Sequence, residues 1–159
     1  MPTVDVVQPG LERVRDADPG EGATAMGWPV TPRGLTDILR RIGTEYPELG
    51  PVYVTENGSA WDDDATPAAD GVVEDPERVA YLHAHLAALA DARAEGIDVR
   101  GYFAWSLLDN FEWALGLSKR FGLVRVDFET QQRTVKRSWQ AYRDAIAADR
   151  ASTAGGDPG

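Results

Sequence analysis

Two short segments concentrate the side chains that could do chemistry. Residues 55–58 read T-E-N-G, and residues 105–113 read W-S-L-L-D-N-F-E-W. Each follows an apolar run typical of a buried strand, and a helix-forming stretch separates the two runs. Functional groups collect at the carboxyl ends of parallel strands, and neighbouring strands lie about 4.8 Å apart. Glu56 and Trp105 could therefore face one pocket.

A carboxylate beside an indole ring suits a sugar ligand. The C–H face of a pyranose packs on the indole ring, and the carboxylate accepts hydrogen bonds from hydroxyl groups. The spacing alone is equally compatible with a structural interpretation, in which Glu56 caps a loop and Trp105 is a core residue.

The rest of the sequence predicts the elements that would position these segments. The order strand, helix, strand predicts two parallel neighbours joined by a right-handed crossover. In chain order the predicted elements are a helix from Thr31 to about Tyr46, a strand over 51–55, a helix from its cap Asp75 to Gly96, a strand over 99–106, a short strand over 123–128, and a last helix with Trp139, Tyr142 and Ile146 on one face. The predicted buried stripe of the second helix is Val79, Leu82, Leu86 and Leu89.

The two ends of the chain differ in composition from its middle. Residues 1–27 and 151–159 lack apolar periodicity and are rich in loop-forming residues, so we expect loop or disordered segments there. The folded part is expected over 28–150. The chain has 159 residues, whereas a complete eight-stranded β/α barrel needs at least ~200.

Composition argues against several function classes. The net charge of −10 argues against nucleic acids and anionic membrane surfaces as partners, and the absence of cysteine excludes disulfides and thiolate metal sites. The sequence has no apolar run of 18 residues and no secretory-signal pattern at its start, so we expect no membrane association and a cytoplasmic location. His83 and His85 point apart on a helix, and 62–64 (D-D-D) favours a solvated loop, so no metal or other cofactor is expected.

Four motifs carry a resemblance to a known family. The chain resembles glycoside hydrolase family 1, the β-glucosidases and their relatives, in M-G-W-P-V-T-P at 26–32, V-T-E-N-G at 54–58, F-A-W-S-L-L-D-N-F-E-W at 103–113 and S-K-R-F-G-L-V-R-V-D at 118–127. The family consists of retaining enzymes on a (β/α)8 TIM barrel. The resemblance covers about the last third of a family member and implies an α/β fold, a partial barrel with roughly strands seven and eight and their flanking helices.

The resemblance also implies a role for five residues. Glu56 matches the catalytic nucleophile, which would attack the anomeric carbon and form a covalent glycosyl-enzyme. Trp105 matches the tryptophan beneath the sugar, and Glu112 matches the carboxylate that binds its outer hydroxyls. Trp113 would donate its indole N–H to the same sugar, and Phe121 matches an aromatic residue of the pocket wall. A carboxylate at position 112 would repel a phosphate, so a neutral glucoside, galactoside or fucoside is favoured.

The catalytic acid/base of the family is missing from this sequence. Retaining hydrolysis needs two carboxyl groups about 5–5.5 Å apart. The family's acid/base lies in an N-E-P motif, which this sequence does not contain. We therefore expect β-glucosidase-type hydrolysis of a β-glycoside or oligosaccharide from the intact parent, and little or no activity from the isolated chain.

Three alternatives stay open. The chain could be a non-catalytic saccharide-binding or assembly module, one half of a split glycosidase, or a small α/β domain without a role in sugar binding. Two parallel strands cannot close a barrel, so two sheet edges and a core face would stay open. We expect such a chain, made alone, to be partly molten or to associate with itself or with the missing part of the barrel.

Overall fold

The computed structural model describes residues 22–154, and the predicted elements occur in the predicted order with two additions, a short 3-10 turn and β4. The elements are α1 Pro32–Glu45, β1 Val52–Gly58, α2 Pro76–Ala94, β2 Val99–Trp105, the 3-10 turn Trp113–Leu115, β3 Val124–Val126, β4 Arg133–Val135 and α3 Arg137–Ala154. Most of the two segments predicted to be loop or disordered, 1–21 and 155–159, lies outside the described residues. Within 22–154, no helix is long and apolar enough to cross a membrane.

β1 and β2 form a two-stranded parallel sheet, which confirms the predicted pairing. α2 connects them, because parallel neighbours need a crossover and cannot be joined by a tight turn. The pairing runs from Val52 opposite Val99 to Gly58 opposite Trp105. The two chemistry-bearing segments therefore lie at the same end of the sheet, where both strands finish.

One face of the β1–β2 sheet, here called the helix side, is covered by helices. Its buried core consists of Leu39, Leu89, Ala92 and Val99. Val54 and Tyr102 of the sheet pack against this core. Leu39 is 2% exposed, so the layer is closed to solvent at this point.

The opposite face of the sheet, here called the open side, has no such cover within residues 22–154. Tyr53 and Phe103 are 51% and 58% exposed, and Trp105 is 39% exposed. A Cβ added to Gly101 would meet the rings of both Tyr53 and Phe103, so these two side chains share a face. Aromatic side chains thus occupy a face that solvent reaches.

β3 and β4 form a short antiparallel hairpin beside the main sheet. β3 confirms part of the strand that the sequence predicts over 123–128. β4 is not predicted, because its three residues are too few to show the alternation of a strand. Asp127 fixes the turn, since its carboxylate accepts hydrogen bonds from the backbone N–H groups of Glu129 and Thr130 at 2.9 and 3.0 Å. Val124 bridges to Leu108, which joins the hairpin to the segment after β2.

Two predicted boundaries are corrected by the structure. β1 continues to Gly58 instead of ending at residue 55, because Asn57 and Gly58 still pair with β2. α3 continues to Ala154, so residues 151–154 are helical and do not belong to a disordered tail. The sequence A-S-T-A contains no helix breaker, and the first glycines follow it at 155 and 156.

The predicted buried stripe of α2 is also corrected. Leu82 and Leu89 are buried as predicted, but Val79 and Leu86 are only half-buried. The buried positions of α2 are Arg78, Leu82, His85, Ala88, Leu89 and Ala92. Apolar periodicity misses Arg78 because its guanidinium is buried by pairing with carboxylates from other elements.

Candidate functional site

Glu56 lies exposed near the carboxyl end of β1. The pairs on either side of it are Val54 with Tyr102 and Asn57 with Ala104, so three residue steps on β1 match two on β2. Such an irregularity is a β-bulge, which re-aims side chains at the rims of barrels and beside active sites. Glu56 therefore stands outside the regular ladder and is accessible to solvent.

The last pair of the sheet brings β1 and β2 unusually close. A Cβ built on Gly58 would lie 1.7 Å from the backbone carbonyl oxygen of Trp105, so only glycine fits there. The Trp105–Ser106 peptide bond is cis. As predicted from the sequence, Glu56 and Trp105 share one end of the sheet.

The segment after β2, which leaves the sheet at this end, carries Glu112 and Trp113. Ser106 Oγ donates a hydrogen bond to the backbone oxygen of Leu108 at 2.6 Å. Asn110 Nδ2 donates to Glu112 Oε2 at 3.2 Å, which orients a half-buried carboxylate. Trp113 is 83% exposed, with φ of 40°. Its indole group is thus held out into solvent.

Phe121 differs from the other four predicted site residues because it is buried. Its side chain is only 3% exposed, and its ring lies 6.3 Å from the ring of Trp28. Its backbone oxygen accepts a hydrogen bond from the Ser106 N–H at 3.3 Å. Phe121 therefore supports the start of the segment after β2 from within the molecule.

A group of buried charges joins the segments that follow β1 and β2. We call it the charge cluster, and its members are Asp63, Asp75, Arg78, Asp109, Arg120 and Lys136. Lys136 Nζ lies 2.6 Å from Asp63 and 3.2 Å from Asp109. Arg78 lies 3.0 Å from Asp63 and 2.6 Å from Asp75. Three carboxylates thus meet three cations, which is the balance that buried charges require.

Asp109 connects the charge cluster to the Glu112 segment. Its carboxylate accepts hydrogen bonds from the backbone N–H groups of Gly122 and Val126 at 3.0 and 3.2 Å. Arg120 lies 3.0 Å from the same carboxylate. The segment that carries Glu112 is therefore fixed to the β3–β4 hairpin by polar contacts in the interior.

Burial lowers the pKa of Lys136, and the nearby Arg78 charge lowers it further. The carboxylates of Asp109 and Asp63 act in the opposite direction. Sequence reasoning missed this group. It interpreted 62–64 as a solvated loop, but the Asp63 side chain is 2% exposed because it receives Lys136 and Arg78. The signal available in the sequence for this buried group was the position of Asp63 and Asp109, which follow the ends of the two predicted strands.

No group of three or more His, Asp or Glu side chains suitable for holding a metal ion occurs in the described part of the chain. The side chains present at the strand ends include carboxylates and indoles. An exposed carboxylate and a partly exposed indole at one end of a sheet are groups of the kind that can bind a sugar.

Comparison with known proteins places these features in a family context. The model of glycosyl hydrolase family 1 matches residues 6–151. A bifunctional β-D-glucosidase/β-D-fucosidase from Bifidobacterium breve is 52% identical over 126 residues, which are 78% of this chain and 27% of that protein. A 6-phospho-β-galactosidase from Clostridium acetobutylicum is 46% identical over 127 residues, which are 80% of this chain and 26% of that protein.

A solved structure is also similar to this chain over part of its own length. The psychrophilic β-glucosidase from Micrococcus antarcticus matches with a TM-score of 0.75 and 54% identity, over 80% of this chain and 27% of that chain. The chain thus spans about a quarter of the length of the relatives it matches.

Proposed function

Since this chain belongs to glycosyl hydrolase family 1, we propose that the intact protein hydrolyses β-glycosides with retention of configuration and that Glu56 is its nucleophile. One observation carries this proposal. Glu56 is an exposed carboxylate at the end of a parallel strand, on the bulge next to the Gly58–Trp105 pair. A nucleophile must reach the anomeric carbon, and this position gives it access.

We assign β1 and β2 to strands seven and eight of a (β/α)8 barrel. The two strands are parallel, and within residues 22–154 the helices of the core pack against one face of the sheet. In such a barrel the helices form the outer ring and the other strand face points to the interior. The open side, with Tyr53, Phe103 and Trp105, then corresponds to the barrel interior.

The proposed reaction proceeds in two steps. Glu56 attacks the anomeric carbon and the glycosidic bond breaks, which gives a covalent glycosyl-enzyme that water then hydrolyses. A second carboxyl group protonates the leaving oxygen in the first step and activates water in the second. General acid catalysis contributes about 10²–10⁴-fold. Because the sequence has no N-E-P motif, we propose that the 159-residue chain alone has the nucleophile without its acid/base.

We propose that the remaining site residues bind the sugar of the substrate. Trp105 would pack beneath the sugar ring, and Glu112, oriented by Asn110, would accept hydrogen bonds from its outer hydroxyls. Trp113 would donate its indole N–H, and Phe121 would support the pocket wall. The carboxylate of Glu112 would repel a phosphate, which favours a neutral glycoside such as the substrates named for the Bifidobacterium breve relative.

A second candidate function is one half of a split glycosidase. The open side favours it, because Tyr53 and Phe103 are more than half exposed on the face that a barrel would bury. A second chain carrying the acid/base would then complete the barrel. Restoration of activity on mixing this chain with such a partner would support the split enzyme.

The proposed nucleophile can be tested in an active host. Residues 26–150 would replace the matched region of the Bifidobacterium breve relative, and hydrolysis of an aryl β-glucoside would be measured. We expect Glu56→Gly to lower kcat/KM at least ~10³-fold, because the covalent step is lost. Added azide should then give the α-glycosyl azide, since the small anion occupies the space of the missing carboxylate.

A matched control comes from the β3–β4 turn of the same chimaera. Glu129 is exposed there, and Glu129→Gly removes a carboxylate of the same size far along the chain from the strand ends. We expect it to leave kcat/KM within about twofold. Equal activity of the Glu56→Gly and Glu129→Gly chimaeras would contradict the role of Glu56.

A further inference from the structure

The side chains of β1 do not alternate regularly up to Glu56. Tyr53 lies on the open side, and Val54 packs against the core of the helix side. Successive side chains of a strand point to opposite faces. Regular alternation would therefore put Thr55 on the open side and Glu56 on the helix side, but both are exposed.

Asn57 explains where the alternation breaks. Tyr102 Oη donates a hydrogen bond to Asn57 Oδ1 at 2.7 Å. The Tyr102 ring packs in the helix-side core, so the Asn57 side chain is held on the helix side. Val54 and Asn57 thus share a side although they are three residues apart, an odd spacing that regular alternation forbids.

Opposite this irregularity the partner strand keeps its alternation, although β2 has a separate register shift of its own between Val99 and Gly101. Tyr102 and Ala104 are two residues apart and both lie on the helix side. Ala104 lines a cavity of about 490 Å³ together with Trp139 and Tyr142 of α3. The extra residue of β1 is therefore accommodated entirely between Val54 and Asn57.

Two phenols are available to hold Asn57. Besides Tyr102, the Tyr81 phenol of α2 accepts a hydrogen bond from the Asn57 side-chain amide, an interaction that lowers the pKa of Tyr81. Tyr102 is itself fixed from α3, because Tyr142 Oη donates to its backbone oxygen at 2.7 Å. Burial raises the pKa of both Tyr81 and Tyr102, so both phenols keep their protons at neutral pH, and Tyr102 remains the hydrogen-bond donor to Asn57.

We propose that Tyr102 and Tyr81 are positioning residues that hold Asn57 on the helix side and thereby maintain the bulge that turns Glu56 away from the helices. The assignment rests on the proposed function for its catalytic meaning, since it concerns the orientation of the proposed nucleophile. Neither phenol contacts the substrate in this proposal. Each acts through Asn57, which precedes the close Gly58–Trp105 pair.

The test uses the full chain, whose lack of cysteine makes any introduced thiol unique. Two cysteine variants, Glu56→Cys and Thr55→Cys, are each made with and without the double change Tyr81→Phe plus Tyr102→Phe. The rate of thiol modification is then measured in each protein. A thiol behaves as a small apolar group, so it can be buried without the cost of burying a carboxylate. Tyr53→Phe, which removes an exposed phenol of the open side, is the matched control.

We expect the double phenylalanine change to slow modification at position 56 at least about fivefold while position 55 keeps its rate. This pattern follows if regular alternation returns and position 56 turns to the helix side. Tyr53→Phe should change neither rate. Equal rates at position 56 with and without the two phenols would overturn the proposal, and so would a rise at both positions, which indicates only a loosened strand.

Hydrogen exchange of the chain without introduced thiols covers the case in which a cysteine variant does not fold. We expect Tyr81→Phe plus Tyr102→Phe to increase amide exchange in a peptide over 54–58 while exchange in α1 stays unchanged. Unchanged exchange in that peptide would contradict the proposal. Thiol modification and hydrogen exchange both measure the geometry of β1 and not turnover. A negative result in them would therefore contradict the positioning role of the two phenols without bearing on whether Glu56 is the nucleophile.

Discussion

The two sides of the β1–β2 sheet are built by the same strands but differ in packing. On the helix side Leu39 and Val99 are buried in a core shared by two helices and the sheet. On the open side Tyr53 and Phe103 remain more than half exposed. Contiguous exposed apolar surface marks an interaction site or a ligand site. The helix side therefore holds the buried core, whereas the open side leaves aromatic side chains exposed to solvent.

The charge cluster lies where loops from both strand ends meet, and breaking it is expected to have the largest effect. Lys136→Met would leave the buried carboxylates of Asp63 and Asp109 without their shared cation. Such a loss costs about 3–5 kcal/mol of unfolding free energy. Urea unfolding followed by circular dichroism would measure it. Arg41→Ala, which breaks an exposed pair with Glu45, is the control and should cost less than about 0.5 kcal/mol.

A pair of substitutions compares the two sides of the sheet directly. Leu39→Ala removes a buried leucine of the helix side and is expected to cost about 2–5 kcal/mol of unfolding free energy. Phe103→Ser changes the open side, where we expect less than about 1 kcal/mol. It should also reduce self-association in sedimentation velocity, because it removes exposed apolar surface. Equal costs at the two positions would contradict the division between the sides.

The close contact at the strand ends gives a third test. Gly58→Ala would force a Cβ against the Trp105 carbonyl oxygen and should lower the unfolding free energy by about 1–3 kcal/mol. Gly34→Ala is the matched control, since its added Cβ would meet only ordinary contacts in α1 and should stabilise the chain by roughly 0.4–1 kcal/mol. Hydrogen exchange over 54–58 should increase only in the Gly58 variant.

The smallest expected effect concerns exposed carboxylates on the rim of the helix layer. Hydrogen bonds from Arg137 lower the pKa of both Asp70 and Glu74 below their ordinary values of 3.8 and 4.5. A depressed folded-state pKa contributes stability above the unfolded pKa, and this contribution is lost as pH falls through the folded value. We therefore expect the urea midpoint to fall between about pH 5 and pH 3. Arg137→Gln should flatten that slope, and so should 1 M salt.

The fold was predictable where one local signal decided the outcome. Asp75, Pro76 and Gly96 gave the approximate limits of α2, and the order of elements gave the parallel pairing. The burial of Asp63 was not predictable, because its partner Lys136 is distant in sequence and a run of aspartates usually indicates a solvated loop. Arg78 has a near partner in Asp75, but it also contacts Asp63 and the Arg120 backbone oxygen, which belong to other segments. For the same reason β4 was missed, since its pairing depends on β3 and not on its own three residues.

The candidate site, like the fold, was predictable only in part. The positions of Glu56 and Trp105 at one sheet end followed from the general placement of functional groups at parallel strand ends. The bulge at Glu56 did not, because strand register depends on contacts between residues distant in sequence, such as that of Asn57 with Tyr102, 45 residues apart. The burial of Phe121 did not follow from the sequence either, because the ring that lies beside it, that of Trp28, is distant in sequence.

The most direct test of the account is release of nitrophenol from an aryl β-D-glucoside by the purified 159-residue chain, measured beside Glu56→Gln. We expect the two proteins to be indistinguishable, because Glu56, the proposed nucleophile, has no N-E-P acid/base partner in this sequence. Turnover that disappears in Glu56→Gln would contradict this account. A complete site would then exist, with its second carboxyl group supplied by another residue or by another copy of the chain.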